Sequence, residues 1–191
     1  MTHTAIAPRQ RVFEHRRVWQ LSATTMERGC ALIADAVSRH AGRPSAVIGI
    51  AHGGSNPARQ IAARLDLTPG TVRARHNPSD DLYTPASGVV SCDLDSLRLG
   101  ADGRLDGTVL LVDDICGTGA TFDAVLRALR ASAEPSTRFL TSALCRNRGA
   151  ETPPNFYCWE VADWVVFPWE AAPGNRPTTP LPDPTEVIIC V

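Results

Sequence analysis

The sequence predicts an α/β fold with a mostly parallel central sheet and helices on both faces, and three observations carry that expectation. Residues 46–50 and 109–112 are continuous apolar runs, which suits strands covered on both faces. Segments with helical spacing of apolar residues, at 24–40, 56–65 and 121–130, alternate with these runs. The runs end abruptly, one in Ala51, His52, Gly53 and Gly54, the other in Asp113 and Asp114. Open α/β sheets bind ligands at such carboxyl ends of strands.

Taken in order, residues 1–22 are polar and rich in arginine, with Phe13 and Trp19 as isolated large apolar groups suited to packing or a subunit contact. Met26, Cys30, Ile33, Ala34 and Val37 mark a helix over 24–40, with Thr24 or Thr25 as N-cap and Gly42, Arg43 and Pro44 as its end. The run at 46–50 is a buried strand, and Asn56 and Pro57 open a helix to about residue 65. Gly53 and Gly54 allow backbone to approach an anion closely. Residues 71–76 alternate as a strand, placing Arg73 and Arg75 on one face. That face either holds phosphate oxygens or is simply solvated. Residues 77–87 have no periodicity and read as a loop, and 88–92 as a short strand.

The stretch from Thr108 to Ala124 organises the chain. After its apolar strand, Asp113 and Asp114 fall where a buried carboxylate needs a partner. Gly117, Thr118, Gly119, Ala120 and Thr121 follow, small enough to bring backbone N–H groups to a ligand, and a helix from about Thr121 turns its positive end toward them. Carboxylates beside a phosphate cradle suit a ligand with hydroxyls and phosphates, together with a divalent metal. Val125, Leu126 and Leu129 are the core face of that helix, and 137–144 is a further strand.

Composition narrows the function classes. At 191 residues, with 43% apolar content and a net charge of −1, the chain is read as one domain, 1–191, without internal repeat or linker. There is no basic excess to favour nucleic acid, no long apolar stretch to favour a membrane, and a cytoplasmic protein is expected. The six cysteines, 30, 92, 116, 145, 158 and 190, lack metal spacing and read as reduced small hydrophobes. All 19 basic residues are arginine. A Walker A loop and lysine Schiff-base chemistry are therefore excluded.

The segment from Val112 to Thr121, VDDICGTGAT, resembles the phosphoribosyl-pyrophosphate (PRPP) signature of the type I phosphoribosyltransferases, an apolar strand, two acidic residues and a loop ending in Thr-Gly-x-Thr. The resemblance implies the fold of that family, with a small hood, and transfer of the 5-phosphoribosyl group from PRPP to a nitrogenous base with release of pyrophosphate. It implies that Asp113 and Asp114 hold the ribose hydroxyls with Mg²⁺ nearby, and that Cys116, Gly117, Thr118, Gly119, Ala120 and Thr121 hold the 5′-phosphate. His52, Gly53 and Gly54 match the family's pyrophosphate loop, in which a cis peptide is expected at 52–53, although His52 stands where Arg or Ser is usual and equally suits an exposed loop histidine. Arg73 and Arg75 would join that loop. The loop at 77–87 matches the mobile lid, with Ser79 and Tyr83 as its contributors and Asp80 and Asp81 solvated.

Residues 163–170, DWVVFPWE, resemble the specificity segment of the xanthine-guanine-hypoxanthine branch. By that resemblance the hood is formed mainly by 146–170, followed by a Pro-rich segment 171–184 that is extended or mobile. Arg146, following its strand, would contact the 6-oxo group of a purine in place of the usual lysine. Trp164, Val165 and Glu170 would line the acceptor, Val165 stacking on the base; Trp164, Phe167 and Trp169 equally suit hood packing. Residues 187–191 would add an edge strand or a subunit contact, and family members are often homodimers.

One position departs from the branch. Gly117 stands where purine-using members carry the aspartate that handles the proton at N7. Either the acceptor needs no such transfer, or Asp163, Glu170 or the lid supplies the base. Nucleotide salvage with a 6-oxopurine, a specialised pathway with a non-purine acceptor, and a non-catalytic PRPP-sensing regulator all remain open.

Overall fold

The computed structural model describes residues 11–75, 91–93, 104–171, 174 and 176–190. The chain runs β1 (Val18–Gln20), α1 (Ala23–Ala41), β2 (Ala46–Ala51), α2 (Ser55–Arg64), β3 (Gly70–Arg75), β4 (Ser91–Asp93), β5 (Thr108–Cys116) and α3 (Ala120–Ala131). Then follow β6 (Arg138–Asn147), β7 (Phe156–Val161), β8 (Trp164–Val166), β9 (Thr178–Pro180) and β10 (Ile188–Ile189). Among the described residues the main sheet has the order β10-β7-β6-β5-β2-β3-β4. Its five inner strands are parallel, and β10 and β4 are antiparallel edges.

This order contains a switch point. From β2 the chain crosses through α2 to β3 on one side, and from β5 it crosses through α3 to β6 on the other. The carboxyl ends of β2 and β5 therefore diverge and leave a crevice between their loops. Helices cover both faces, as the apolar runs require. Val47, Leu110, Val112 and Leu144 face α1 and α2 in a cluster with Ile33, Val37 and Ile61. Their chain neighbours Ile48, Val109 and Leu111 face α3 in a second cluster with Phe122, Val125 and Leu129. Alternation within continuous apolar runs is thus read out by two cores.

Several boundaries differ from expectation for local reasons. Ser22, not Thr24 or Thr25, caps α1, its side chain accepting from the Thr25 N–H at 3.0 Å. Gly42, with φ of 75°, ends that helix as expected. Strand β5 continues through both aspartates to Cys116, because the neighbouring β6 stays in register that far. Arg146 accordingly lies inside β6, not after it.

The hood departs most. It is a three-stranded parallel sheet with order β8-β1-β9. Only β8 comes from the span 146–170; β6 and β7 of that span belong to the main sheet. The central strand comes from the N-terminal segment, where no element was expected. The third comes from residues 178–180 of the Pro-rich segment, and the chain just after it is held: the Leu181 N–H donates to the Gln20 carbonyl at 2.9 Å, and Trp159 Nε1 donates to the Pro182 carbonyl at 2.9 Å. Leu21, Val165, Phe167 and Leu181 carry the hood into the α1/α2 core. No helix among the described residues is long and apolar enough to cross a membrane.

Candidate active site

Asp113 and Asp114 sit near the end of β5 and are half-buried. The Asp114 N–H donates to Asp113 Oδ1 at 3.0 Å and the Ile115 N–H donates to Asp114 Oδ1 at 2.6 Å. Burial, then the neighbouring Asp114 carboxylate, pushes the Asp113 carboxyl well above the ordinary range. Burial also raises Asp114, opposed by the Ile115 N–H and the charge of Arg11. Two carboxylates held this way are poised for a cation or hydroxyl donors.

The loop after β2 closes on them. A Cβ at Gly53 would fall on the Asp114 carboxylate, and one at Gly54 on the Val112 and Ile50 carbonyls. These two glycines let the β2 loop lie flat against the end of β5, a closeness that no other residue permits. The cis peptide is Ala51–His52, one residue before the expected bond. His52 is exposed, with its carbonyl accepting from the Ser55 N–H at 3.3 Å.

The loop after β5 is compact. Gly117, Thr118 and Gly119 are buried, and Ala120 and Thr121 open α3. Gly119 takes φ of 93° at the N-cap and carries no side-chain cap, so the helix start presents backbone to the crevice. Thr118 Oγ1 accepts from the Ala120 N–H at 3.3 Å. Cys116 is buried and its thiol donates to the Thr152 carbonyl at 3.6 Å; burial pushes it up to about 12, which makes it an inert thiol.

Other expected residues fall at varying distance from this centre. Arg73 is exposed on β3, opposite Ala51 of β2 and Asp93 of β4. Arg75 follows two residues on, opposite Ser91. Ser79 and Tyr83, with Asp80 and Asp81, lie outside the described residues. Arg146 is opposite Cys116 and Glu160, and its guanidinium is engaged: Nη1 pairs with Glu160 Oε2 at 2.6 Å and Nη2 donates to the Ala150 carbonyl at 3.0 Å. That fork holds the 147–155 turn, whose Thr152 carbonyl packs on Gly119. The stacking face expected at Val165 is turned into the core, 5% exposed. Trp164 beside it is half-buried and stacks with Phe13 at 6.3 Å between centroids. Phe167 and Trp169 stack on each other at 5.2 Å. Glu170 is exposed and accepts the Phe167 N–H at 3.0 Å, closing its own turn. Asp163 is buried and accepts from the Arg16 N–H at 3.3 Å, while its Oδ1 is buried without a hydrogen-bond partner.

Two residues at the site carried no signal in the sequence. Arg11 lies over Gly117, where a Cβ would strike its Nε. Asn147, fully buried at the end of β6, holds the segment bearing Arg11. Their partners are more than a hundred residues away in sequence, beyond any local pattern.

Residues 20–173 match the phosphoribosyl transferase domain family. Solved structures with the same fold include a purine phosphoribosyltransferase from Pyrococcus horikoshii, at 23% identity and a TM-score of 0.65, covering 82% of this chain and 96% of that one. A Helicobacter pylori xanthine-guanine-hypoxanthine phosphoribosyltransferase matches at 18% identity and 0.65, covering 80% and 93%. A hypothetical protein from Neisseria gonorrhoeae, solved with ppGpp bound, matches at 20% and 0.62, covering 83% and 92%. No curated protein matches the sequence.

Proposed function

The chain belongs to the phosphoribosyl transferase family, and from that premise we propose that this phosphoribosyltransferase moves the 5-phosphoribosyl group from PRPP to a nitrogenous base, releasing pyrophosphate. A 6-oxopurine-like base is favoured, as in nucleotide salvage. The observation that carries the reading is the paired carboxylates of Asp113 and Asp114, set against the Gly53–Gly54 backbone on one side and the start of α3 on the other.

In this reading Asp113 and Asp114 hold the ribose hydroxyls and favour positive charge developing at the ring, in a transition state resembling an oxocarbenium ion. Gly53 and Gly54 bring the backbone of the β2 loop up to the departing pyrophosphate, the Gly54 N–H itself donating to the Ile50 carbonyl at 2.8 Å, with Arg73 and Arg75 beside them and His52 at the loop's exposed edge. The loop from Cys116 to Thr121 holds the 5′-phosphate through backbone and hydroxyl, aided by the positive end of α3. Most of the rate enhancement is positioning and electrostatics, with no covalent nucleophile.

The donor chemistry fits Mg²⁺. It is a hard cation usually held by one or two protein carboxylates plus substrate phosphates, and Asp113 and Asp114 are such a pair. Among the described residues no larger cluster of metal-ligating side chains occurs. When bound, the ion would neutralise pyrophosphate oxygens. Ser79 and Tyr83 are proposed as lid residues that exclude water, and Trp164 and Glu170 as the acceptor wall, with Val165 backing it from the core and Arg146 acting through the Ala150 turn. The same reading makes the protein a cytoplasmic homodimer, without nucleic acid or membrane as partner.

A second reading, a non-purine acceptor, is favoured by Arg11 over Gly117, where a carboxylate would otherwise act. The test is pyrophosphate release from PRPP and Mg²⁺ with hypoxanthine, guanine, xanthine and adenine. Release with an oxopurine supports the first reading. Silence across the panel with PRPP still bound supports the second or a PRPP-sensing regulator, and absence of PRPP binding overturns both.

A further inference from the structure

Arg11 and Gly117 act as one device. A Cβ on Gly117 would strike Nε, so the loop forgoes a side chain at the position that the guanidinium covers. The backbone beside Arg11 is fixed from two directions. The Val12 N–H donates to Asn147 Oδ1 at 2.8 Å, and Asn147 Nδ2 donates to the Val12 carbonyl at 2.9 Å. Asn147 is 0% exposed, and its Oδ1 also accepts the Gly149 N–H at 2.9 Å. Releasing so well satisfied a buried amide is costly. Two residues on, the Glu14 N–H donates to the Ala162 carbonyl at 2.7 Å, and between them Phe13 stacks with Trp164. Arg11 therefore enters the crevice from the hood side, where the base is expected, across the loop that leads from the acidic pair to α3.

A guanidinium is a permanent cation with donors only. Beside a ribosyl group that gains positive charge it is unfavourable unless anions accompany it; Asp113 and Asp114 do so from the β5 side, and an anionic acceptor would do so from the hood side. We propose that Arg11 belongs to the acceptor subsite and selects an anionic nitrogen heterocycle, either the anion of an acidic oxopurine or a ring bearing a carboxylate. The inference rests on the phosphoribosyl-transfer reading and narrows it. In the step, the ring nitrogen forms a bond to the anomeric carbon as the bond to pyrophosphate oxygen breaks and its electron pair leaves with pyrophosphate. A pyridine-type acceptor such as nicotinate attacks through a nitrogen without a proton and needs no base at residue 117. The xanthine anion and orotate, by contrast, also lose one ring N–H proton, which passes to the departing pyrophosphate.

The test measures binding of xanthine above and below its own ionisation, nicotinate, orotate, hypoxanthine and guanine by calorimetry, with and without PRPP and Mg²⁺. Pyrophosphate release is followed in parallel. In the wild type the anions bind more tightly than the neutral bases. Arg11→Met weakens the preferred anion at least about tenfold while PRPP affinity stays within about twofold, and Arg11→Lys recovers part of the loss, as expected for a charge-assisted contact. Preference for xanthine's anion alone identifies an oxopurine; preference for nicotinate or orotate identifies a carboxylated ring. Tighter binding of neutral bases overturns the proposal, as does equal loss of PRPP and acceptor in Arg11→Met, which would make Arg11 a phosphate ligand. Failure of PRPP itself to bind the wild type counts against the transfer reading, whereas the order of acceptor affinities still decides the role of Arg11.

Discussion

The loops after β2 and β5 are written into short consecutive stretches of chain, whereas the hood above them sets β8 and β9 on either side of β1, which lies far from both in sequence. In the loops, each residue's proposed role follows from its immediate neighbours: carboxylates at the end of an apolar strand, glycines where backbones touch. In the hood, a role depends on what a distant segment brings. Arg11 is defined by Gly117, and Val12 by Asn147. The two regions should therefore break differently. Damage to the loops should abolish turnover in a folded protein; damage to the hood should trade stability and acceptor binding against each other.

The largest effect is expected at Asp114→Asn, which keeps the shape and removes the charge. Turnover should fall at least about a hundredfold, as for other transition-state electrostatic contacts, with the thermal midpoint near that of the wild type. Near-normal turnover would sink the site assignment. Gly53→Ala comes next, because its methyl group meets the Asp114 carboxylate. Overpacking of this kind costs about 1–3 kcal/mol, and urea unfolding with parallel assays should show lost turnover accompanying it. If Gly53→Ala is fully active, the two loops are not in contact as described.

On the hood side, Asn147→Ala leaves the Val12 and Gly149 N–H groups without their acceptor, at about 1–3 kcal/mol for each group left unsatisfied. Its acceptor KM should rise more than its PRPP KM. Equal changes in both would erase the distinction between loop and hood.

The pH dependence belongs to the loop side. Burial raises the folded-state carboxyl of Asp113, so the folded protein binds that proton more tightly than the unfolded chain. Without ligand, stability should fall as pH rises from the ordinary carboxylate range through the raised folded value, and Asp113→Asn should flatten that slope in urea titrations. A control outside both regions gives the smallest effect. Asp35 on α1 is held below its usual range by the hydrogen bond from Arg64 on α2, so its contribution is present at neutral pH and lost as pH falls through the folded value. Both groups are exposed, and Asp35→Asn should change the thermal midpoint barely detectably, with turnover unchanged.

The same contrast explains what was legible in the sequence. The parallel sheet, both helical faces and the loops at Gly53 and Asp113 could be read because apolar runs and helical spacing are local signals. The limit of β5 could not, because pairing with β6 carries that strand past Asp113 and Asp114. Nor could β1, a three-residue strand whose only reason to form is a partner on each side, from residues 164–166 and 178–180. Arg146 was legible as a basic group near the site, but its partner Glu160 lies across a strand pair that no spacing rule reveals. Arg11 left no trace at all, since one arginine among many in a polar segment has no pattern.

The most direct measurement is calorimetric titration of the protein with PRPP in Mg²⁺, repeated on the Asp113→Asn, Asp114→Asn double variant. The account predicts saturable binding by the wild type that depends on Mg²⁺ and is lost in the double variant while its circular dichroism is unchanged. Binding that is absent from the wild type, or retained undiminished without both carboxylates, would contradict it.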